Sequence, residues 1–525
     1  MRKFLLLSAL VALLPSMLSA KVNHPVPEPT ATPVVGETYY LYNAKNNAFL
    51  MPGENWHTRV GTSYMVGWGF KWVASPENGY FNLQSIKNGN PVYLNCPDQW
   101  ATWYDQATES ESNRFQIEPV EGTQAYYFHL QKEPTQYCFF RASGWNDRAI
   151  QSWTGSGNAD CQWQFISEVD YQAYMKAMDA YASAYTANMD ACITHYGNMW
   201  TLTAQSGKYD FTNGYMCNGT TTQDKDQKVL RVMSLWSDCH IYEEFVIMPA
   251  GDYTFGVEAS KIEGFPASGP WVNTFAVANP SANWKNEPGA AGFLGKANNF
   301  GDVNFTYDPK DGPLGVGLRT WGLNDETKKV WGVDLKKFHL TWKGTGKYTV
   351  TVGETCYATL FLPYAVTIPD GITAYTGVVN GEYLTLTALQ GGVIPAETAV
   401  VLKATAAGDY TFTKTTAEAF SGSNDLLGDI SKTQQNGTDK YYVLANNDQI
   451  GFYALSDAVP GFKAYLKQAP AAGIKAFLFT EDNATSISSL TQPLTTGEQI
   501  YNLAGQRLQK MQKGINIVGG KKVLY

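Results

Sequence analysis

The feature that most constrains the fold of this chain is a threefold repeat near its N-terminus. Units of about 45 residues each open on an apolar-x-Leu step, and these steps begin at Tyr39, Phe81 and Phe128. Each unit continues with a second apolar pair and a tryptophan, and it closes on an aromatic-x-apolar step at Trp72, Phe115 or Trp163. Apolar residues that alternate with polar ones predict short, half-buried strands. One unit of strands is therefore used three times.

Three units of four short strands each can close into one barrel, so we predict a β-trefoil over residues 36–168. The tryptophans that follow the second strands would then occupy equivalent places: Trp56, Trp100 and Trp145. Polar residues accompany them: Asn55, His57, Asp98, Asn146 and Asp147. An indole face stacks on the C–H face of a pyranose, while carboxylates and amides bind its hydroxyl groups. We predict sugar-binding loops here; the alternative is that the rings close the open end of the barrel as part of its core.

The N-terminus has the pattern of a secretory signal over residues 1–20. Arg2 and Lys3 precede an apolar run that ends at Leu14, and the small pair Ser19-Ala20 suits cleavage. This run is too short to anchor the chain in a bilayer. We expect the mature chain to be secreted, at the cell surface or outside the cell, without a transmembrane span.

Composition limits the class of partner. Charged residues make up only 16% of the 525-residue chain and aromatic residues reach 14%, a balance typical of β-rich extracellular modules. The net charge of −8 argues against a nucleic-acid partner, because nucleic acid requires a basic surface. The seven cysteines leave alternatives open: pairing of Cys138 with Cys161 or of Cys217 with Cys239, or isolated buried thiols.

The remaining segments follow from changes in pattern. Tyr and Met at helical spacing predict one helix after the barrel, roughly from Tyr171 to Ile193, and strands separated by glycine-rich turns predict β-sandwiches beyond it. The expected order is a signal peptide (1–20), a Pro-rich linker (21–35), the β-trefoil (36–168), a helical connector (169–197), a jelly-roll β-sandwich (198–345), a second β-sandwich-like domain of unknown role (346–482) and a short C-terminal β tail (483–525). The expected fold class is mainly β and multidomain.

Parts of the chain resemble known families. The barrel region resembles the ricin-type β-trefoil lectins, with Trp163 at the place of the family's closing tryptophan. Residues 198–345 resemble the galactose-binding-like jelly rolls and carbohydrate-binding modules of secreted bacterial proteins, through Met248–Thr254 and Phe338–Trp342. The segment 346–482 resembles a domain frequent in Bacteroidetes surface proteins, and the last residues resemble the sorting tail of proteins that this group exports. The first two resemblances imply sugar binding, and the last two imply a cell-surface location.

Three tryptophans of the jelly-roll segment are further candidates for sugar stacking: Trp271, Trp284 and Trp321. They lie in glycine- and proline-rich sequence that predicts loops, and three asparagines lie near them: Asn273, Asn283 and Asn324. Ordinary packing is the alternative. The segment Asp308–Gly312 could supply oxygens to a calcium ion or could form a plain turn. No other cofactor or metal is expected.

Signatures of catalysis are hard to find in this sequence. It has no His-Glu-x-x-His motif, no Gly-x-Ser-x-Gly motif and no phosphate-cradling loop before a helix. Glu243 and Glu244 are consecutive in a predicted strand and therefore point to opposite faces. We expect a non-catalytic carbohydrate-binding protein whose partners are polysaccharides or glycoprotein glycans. Two alternatives stay open: a structural or adhesive surface protein without sugar binding, and a glycoside hydrolase with an unrecognised site.

Overall fold

The computed structural model describes residues 22–52, 60–63, 69–75, 79–87, 90–98, 101–140, 150–154, 159–193, 200–204, 215–216, 230–233, 239–245, 248–261, 271–284, 286, 288–321, 332–435, 437, 439–447, 449–468, 474–481, 500–502, 506–510, 515–518 and 521–524. For some of these residues only the backbone is described. This part of the chain is mainly β. It divides into two compact units, which we call the N-terminal unit (His24–Tyr348) and the C-terminal unit (from Thr349 onward).

The first strands of the N-terminal unit follow the sequence repeat, with four described strands in each repeat. Their bounds are β1 (Thr38–Asn43), β2 (Ala48–Pro52), β3 (Val60–Ser63), β4 (Phe70–Ala74), β5 (Phe81–Lys87), β6 (Asn90–Asp98), β7 (Ala101–Gln106), β8 (Phe115–Pro119), β9 (Tyr126–Leu130), β10 (Tyr137–Phe140), β11 (Ile150–Thr154) and β12 (Gln164–Ser167).

Six of these described strands pair into a closed ring. The pairs run from β1 to β4, β5, β8 and β9, and β12 returns to β1. A bridge between Tyr126 and Trp163 closes the ring between β9 and β12. The other six strands form three hairpins, β2–β3, β6–β7 and β10–β11. Each repeat therefore supplies two ring strands and one hairpin.

The alternating apolar residues of the repeat form one buried cluster in this ring. It contains the opening leucines Leu41, Leu83 and Leu130 and the closing aromatics Trp72, Phe115 and Trp163. Side chains two positions apart on a strand share a face, so the alternation turns every second residue inward. Cys161 is also buried, and it is a thiol, so the disulfide between Cys138 and Cys161 does not form in this structure.

A helix, Glu168–Tyr185, follows the ring directly. Ser167 caps its N-terminus, because the Ser167 Oγ accepts a hydrogen bond from the backbone N–H of Asp170 at 3.2 Å. The expected helix continued further along the chain, but Thr186 has a φ of 60°, which is outside the helical region. A short strand, β13 (Ala187–Asn188), and a 3₁₀ turn, Asp190–Cys192, follow instead.

The helix is part of a core that it shares with the elements on both sides. Tyr171 and Tyr174 are buried on one helix face, and both ring centroids lie 5.4 Å from that of Phe49 in β2. The same cluster includes Phe255 and Leu340 from the sheets that follow. The helix therefore packs against both regions in one continuous core.

The remaining described strands of the N-terminal unit are β14 (Trp200–Ala204), β15 (Tyr215–Met216), β16 (Leu230–Met233), β17 (Cys239–Phe245), β18 (Gly251–Lys261), β19 (Trp271–Ala278), β20 (Phe293–Asn298), β21 (Val303–Tyr307), β22 (Leu314–Trp321) and β23 (Gly332–Trp342). One sheet has the order β15–β16–β23–β18–β21, with β13 also paired to β23, and the other has the order β14–β17–β22–β19–β20. Val316 and Leu318 lie on the inner face of the second sheet and are part of the shared core.

The described strands of the C-terminal unit, with the one that crosses its boundary, are β24 (Lys347–Val352), β25 (Tyr357–Leu360), β26 (Val366–Thr367), β27 (Ile372–Asn380), β28 (Tyr383–Ala388), β29 (Val393–Ile394), β30 (Val400–Ala404), β31 (Gly408–Lys414), β32 (Leu427–Gly428), β33 (Lys440–Asn446), β34 (Ile450–Leu455), β35 (Ala464–Gln468), β36 (Ala476–Glu481), β37 (Ile500–Asn502), β38 (Arg507–Leu508), β39 (Ile515–Val518) and β40 (Lys521–Leu524). Their sheet orders are β24–β31–β26–β29, β25–β30–β27–β28–β36–β34–β33–β35–β32 and β38–β37–β39–β40. β39 and β40 pair antiparallel on either side of Gly519-Gly520.

None of the helices in the described ranges has the length and apolar character needed to cross a bilayer.

Candidate functional site

The structure describes some of the predicted site residues in full, some by their backbone alone, and others not at all. Trp56, Trp100 and Trp145, with Asn55, His57, Asn146 and Asp147, lie outside the described residues. Asp98 is exposed at the end of β6. Trp271 and Trp321 lie in strands, where they are cross-strand partners, and not in the expected loops; only their backbone is described. Trp284 lies in the loop between β19 and β20, as expected, and its partly buried side chain is described.

The position of Trp284 is set by the loop that carries it. A short helix, Pro280–Asn283, follows β19, and the Trp284 N–H donates to the carbonyl oxygen of Pro280 at 3.0 Å. The Asn283 Nδ2 donates to the carbonyl oxygen of Ala278 at 2.8 Å. The Asn286 Nδ2 donates to the Asn283 Oδ1 at 3.2 Å and to the carbonyl oxygen of Ala291 at 2.6 Å. These hydrogen bonds of the two side-chain amides cross-link the loop and fix the position of Trp284.

One glycine is required by this arrangement. Gly292 has a φ of 75°, and a Cβ there would lie 2.2 Å from the Nδ2 of Asn283. A side chain at this position would therefore strain the backbone and displace the amide that ties the loop to Ala278.

Trp284 borders a recess on the outer face of the sheet β14–β17–β22–β19–β20, which we call the Trp284 recess. Its lining residues are Asn273, Phe275, Val277, Asn283, Trp284, Asn286, Phe293, Lys296 and Arg319. It is a narrow recess with a cavity volume of about 10 Å³. Residues 273, 275 and 277 alternate along β19 and so share this outer face, opposite the buried core.

Strand register brings the polar residues of the recess together. Asn273 is opposite Arg319 on one neighbouring strand, and Phe275 is opposite Lys296 on the other. Tyr242, Phe275 and Val277 form a small buried cluster against which Trp284 packs. The recess therefore has an apolar floor, one aromatic wall, and amide and cationic groups above the floor.

The central strand β22 leaves room for the short helix. Gly315 lies opposite Val277, and a Cβ at Gly315 would be 2.9 Å from the Cβ of Pro280. Without a side chain there, Pro280 can lie against the strand, and the loop with Trp284 comes down onto the sheet.

Strand β17 contributes ionisable side chains to this region of the sheet. Burial raises the pKa of the Glu244 carboxyl, and a hydrogen bond with Ser281 opposes that shift. Burial, together with the nearby Glu244 charge, raises the pKa of Tyr242, and a hydrogen bond with Thr201 opposes the shift. Glu243 is 2% exposed on the other side of the sheet. The two consecutive glutamates thus lie on opposite faces and do not form a pair for glycoside cleavage.

The segment considered for calcium forms a 3₁₀ turn, Pro309–Asp311. The Asp308 Oδ1 accepts a hydrogen bond from the Lys310 N–H at 3.1 Å, and its Oδ2 lies 2.6 Å from the Lys310 Nζ. A calcium ion would have to displace this ammonium. Within the described ranges, no group of three or more His, Cys, Asp or Glu side chains is placed to hold a metal ion.

The C-terminal unit has a separate open cleft in a segment to which the sequence assigned no role. It has a volume of about 420 Å³ and is lined by Glu382, Tyr383, Gln449, Tyr453, Lys475, Ala476 and Leu478. Tyr383 is 51% exposed. These residues come from three strands, β28, β34 and β36, and from the positions just before them, and they could not be grouped from their positions in the chain.

Sequence reasoning also missed Arg319 and Lys296 as lining residues of the Trp284 recess. Their strands are separated from the Trp284 loop along the chain, so the only usable signal would have been the strand pairing itself. It did find Trp284, because a tryptophan among Gly, Pro and Asn residues is unusual in a loop.

Comparisons with known proteins give limited information. No family model matches the sequence, and no curated protein matches it. Among solved structures, a designed 3-fold symmetric protein, ThreeFoil, has 12% identity and a TM-score of 0.20, covering 25% of this chain and 98% of its own. The BEL beta-trefoil has 14% identity and a TM-score of 0.22, covering 27% of this chain and 99% of its own.

A lectin from Polyporus squamosus, solved with a sialylated epitope, has 15% identity and a TM-score of 0.21. The match covers 26% of this chain and 50% of the lectin, so this chain spans half of that relative. The neighbours thus include β-trefoil and lectin structures, but at these TM-scores they assign neither fold nor function to the chain.

Proposed function

We propose that this protein binds carbohydrate without cleaving it and that the Trp284 recess is one of its binding sites. The observation that carries the proposal is a partly buried tryptophan, held by a cross-linked loop, beside an apolar floor and next to amide, ammonium and guanidinium groups. A sugar ring has the matching surface, with apolar C–H faces and hydroxyl edges. The recess is narrow, so the ring would lie across its mouth against Trp284.

The affinity of one such site is expected to be modest. A sugar hydroxyl exchanges hydrogen bonds with water for hydrogen bonds with the protein, and the net gain of each exchange is small. Useful affinity for a polymer then requires several sites on the same chain, because linked sites raise the effective concentration of the ligand.

We further propose that residues 36–168 form a β-trefoil with sugar-binding loops at Trp56, Trp100 and Trp145. The closed ring of six strands with three hairpins supports this assignment, because each repeat contributes the same four strands. The jelly-roll assignment of residues 198–345 is supported by two sheets around a common core. Export through the segment 1–20 and surface attachment through the C-terminal tail belong to the same proposal and rest on sequence pattern.

The test of the recess is glycan binding by the mature chain, residues 21–525, with wild type and Trp284→Ala compared on a glycan array. Loss of the indole should reduce retention about tenfold or more, because it removes the stacking surface. Tyr383→Ala, an exposed aromatic of the C-terminal unit, is the matched control and should leave this retention unchanged. Thermal unfolding and circular dichroism of each variant check that the fold is kept.

Three results would contradict the proposal. Absence of retention on every glycan would favour the structural or adhesive alternative. Retention that survives Trp284→Ala but is lost in Tyr383→Ala would place the site in the C-terminal cleft instead. Release of reducing sugar from a bound polysaccharide would favour the hydrolase alternative.

A further inference from the structure

We infer that the open cleft of the C-terminal unit, the C-terminal cleft, binds a proline-rich peptide segment in the polyproline II conformation. The cleft belongs to the C-terminal unit alone, so this role is independent of the glycan site proposed at Trp284. Two tyrosines on one sheet face, a low apolar floor between them and hydrogen-bond donors at the rim support the assignment.

The C-terminal cleft is formed by three adjacent strands of the nine-stranded sheet, in the order β28–β36–β34. Tyr383 on β28 is opposite Leu478 on β36, and Tyr453 on β34 is opposite Ala476 on β36. Paired residues on neighbouring strands point to the same side of a sheet, and so do residues two apart on one strand. All four side chains therefore share one face, with a tyrosine on each outer strand and the two smaller residues between them.

Two observations show which face this is. Thr385 and Thr480 form the next pair on the same face, and the Thr480 hydroxyl donates to the Thr385 hydroxyl oxygen at 3.2 Å. The intervening residues Leu384, Phe452 and Phe477 are fully buried on the opposite face. The cleft therefore lies on the outer face of the sheet, and its volume of about 420 Å³ is in the range found for ligand sites.

The ring of Tyr453 is held along its strand by a hydrogen bond. Its hydroxyl donates to the backbone carbonyl oxygen of Gln449 at 2.7 Å. Gly451 lies between these two residues on the same face and is opposite Leu478, as Tyr383 is on the other side. A Cβ at Gly451 would lie 3.2 Å from the Cδ2 of Leu478. The missing side chain thus leaves room for the ring to lie back toward the level of Tyr383, and it keeps the floor low.

The two tyrosine rings are spaced for one turn of a polyproline II helix. Two strand intervals of about 4.8 Å separate β28 from β34, so the rings lie about 10 Å apart across the cleft. A polyproline II helix has three residues per turn and rises about 3.1 Å per residue, which places its first and fourth residues about 9 Å apart on one side. Prolines at these two positions can each pack on one tyrosine, which is how aromatic grooves bind such segments.

The rim of the cleft supplies more hydrogen-bond donors than acceptors. Tyr383 contributes a hydroxyl, Gln449 an amide and Lys475 an ammonium, and Glu382 is the only carboxylate among the described lining residues. Lys475 and Glu382 are both exposed. A polyproline II segment has no internal hydrogen bonds and proline has no N–H, so such a segment presents mainly carbonyl oxygens. The donors of the rim match these acceptors, and Glu382 can accept from the N–H of a residue between the prolines.

The floor favours a peptide over a sugar in this cleft. Ala476 and Leu478 offer only hydrocarbon groups to a ligand. A proline ring is apolar on all sides, whereas a sugar ring has hydroxyl groups along its edge, and burying a hydroxyl without a partner costs free energy. The polyproline II conformation is also present before binding, so the segment loses little conformational entropy when it docks.

The experiment measures binding of a fluorescein-labelled oligoproline peptide to the chain 21–525 by fluorescence anisotropy. A glycine–serine peptide of the same length and label is the control probe. It should bind at least about tenfold more weakly, because it has no preformed conformation and no ring to stack. Tyr383→Ala should weaken oligoproline binding about tenfold or more, since one of the two stacking surfaces is lost. Tyr383 is 51% exposed, so this variant should fold, and circular dichroism checks that it does.

Tyr410→Ala is the matched control variant. Tyr410 lies in β31, outside the cleft, and its hydroxyl donates to the carbonyl oxygen of Ala406 at 2.9 Å, in the way that Tyr453 donates to Gln449. Tyr410→Ala should leave oligoproline binding unchanged. Tyr453→Phe removes only the hydrogen bond that fixes the ring and should weaken binding about threefold, while Tyr410→Phe should have no effect.

Absence of an anisotropy change with oligoproline would overturn the inference. Equal binding of the two peptides would do so as well, because the cleft would then not recognise the polyproline II conformation. Unchanged oligoproline binding in Tyr383→Ala would place the peptide elsewhere on the chain. Release of oligoproline by a neutral glycan, with loss of that glycan's retention in Tyr383→Ala, would make the cleft a sugar site instead. Glycan retention at Trp284 is measured with a different probe and a different variant, so either proposal can fail without the other.

Discussion

Asparagine has two different roles around the Trp284 recess. Asn283 and Asn286 use their amide N–H groups on carbonyl and amide oxygens of the same loop, so they are structural residues. Asn273 is buried on the neighbouring strand, and its Nδ2 has no hydrogen-bond partner among the described residues. All three are the same residue type, and only burial and hydrogen-bond partners distinguish the asparagines that hold the loop from the one that does not.

Asn286→Ala tests the positioning role. The substitution removes two hydrogen bonds that hold the loop, so Trp284 should lose its fixed position and glycan retention should fall about three- to tenfold. The thermal midpoint should change little, because the loop lies outside the shared core. Unchanged retention would show that the short helix alone positions the indole. Asn304→Ala, at an exposed position of β21, is the control.

Ionisation of Tyr307 makes the free energy of unfolding depend on pH in the alkaline range. Burial raises the pKa of its hydroxyl to about 12, with further contributions from Asp308 and Asp311, and the hydroxyl donates to the carbonyl oxygen of Gly312 at 2.7 Å. An unfolded tyrosine titrates near about pH 10, so the folded state holds this proton more tightly. Its contribution is complete below about pH 10 and is lost as the pH rises toward about 12.

Tyr307→Phe should therefore reduce the slope of the urea midpoint against pH between about pH 10 and 12. At neutral pH the variant should be less stable by about 1 kcal/mol, because the hydrogen bond with Gly312 is lost. Parallel curves for the two proteins would show that other groups control the alkaline transition.

At the scale of elements, the long helix is fixed by signals at both ends. Ser167 supplies the N-cap, with Glu168 and Asp170 in the first turn, where negative charge is favourable. Thr186, with its positive φ, ends the helix, and its N–H still bonds to the carbonyl oxygen of Ala182. The helix is short enough to leave β13 free to pair with β23.

Ser167→Ala should destabilise the N-terminal unit by about 1 kcal/mol, because the first turn loses its cap. Val169→Ala, in the same turn and 78% exposed, should have a much smaller effect and serves as the control. Urea unfolding followed by far-ultraviolet circular dichroism measures both. Equal effects would mean that the first turn is frayed and does not contribute to stability.

At the scale of the molecule, the N-terminal unit is organised around a core that crosses the expected boundaries between trefoil, connector and jelly roll. Tyr42 from the ring, Phe49 from the β2–β3 hairpin, Tyr171 from the helix and Phe255 from the following sheet belong to the same buried cluster. Burial of apolar surface is the main source of folding free energy, so these parts depend on one another for stability.

Residues 24–346 should therefore unfold in one cooperative transition, whereas residues 24–168 alone should be poorly folded, because Tyr42 and Phe49 would lose their cover. Urea unfolding and limited proteolysis of the two fragments test this. A protease-resistant 24–168 fragment with the stability of the longer one would show that the ring is autonomous and that the shared core is incidental.

The repeat is the part of the fold that could be predicted best. Its alternating residues place Leu41, Leu83 and Leu130 in equivalent buried positions, since alternation is a local property of the chain. The predicted end of the helix was wrong, because the Tyr and Met spacing continues past Thr186. The positive φ of Thr186, which ends the helix, is not visible in that spacing. The sugar-binding role of the barrel tryptophans stays a prediction.

The sequence by itself determined what depends on neighbouring residues: the threefold period, the mainly β character, the presence of one long helix and a loop tryptophan at position 284. Only the tertiary structure decided that this tryptophan stands beside Asn273, Arg319 and Lys296, because these residues come from one loop and three strands. Their meeting depends on strand register and on Gly315, whose missing side chain lets the loop lie on the sheet. Register depends on which strands become neighbours and on which face of each strand is buried, and both are settled only when the sheets form.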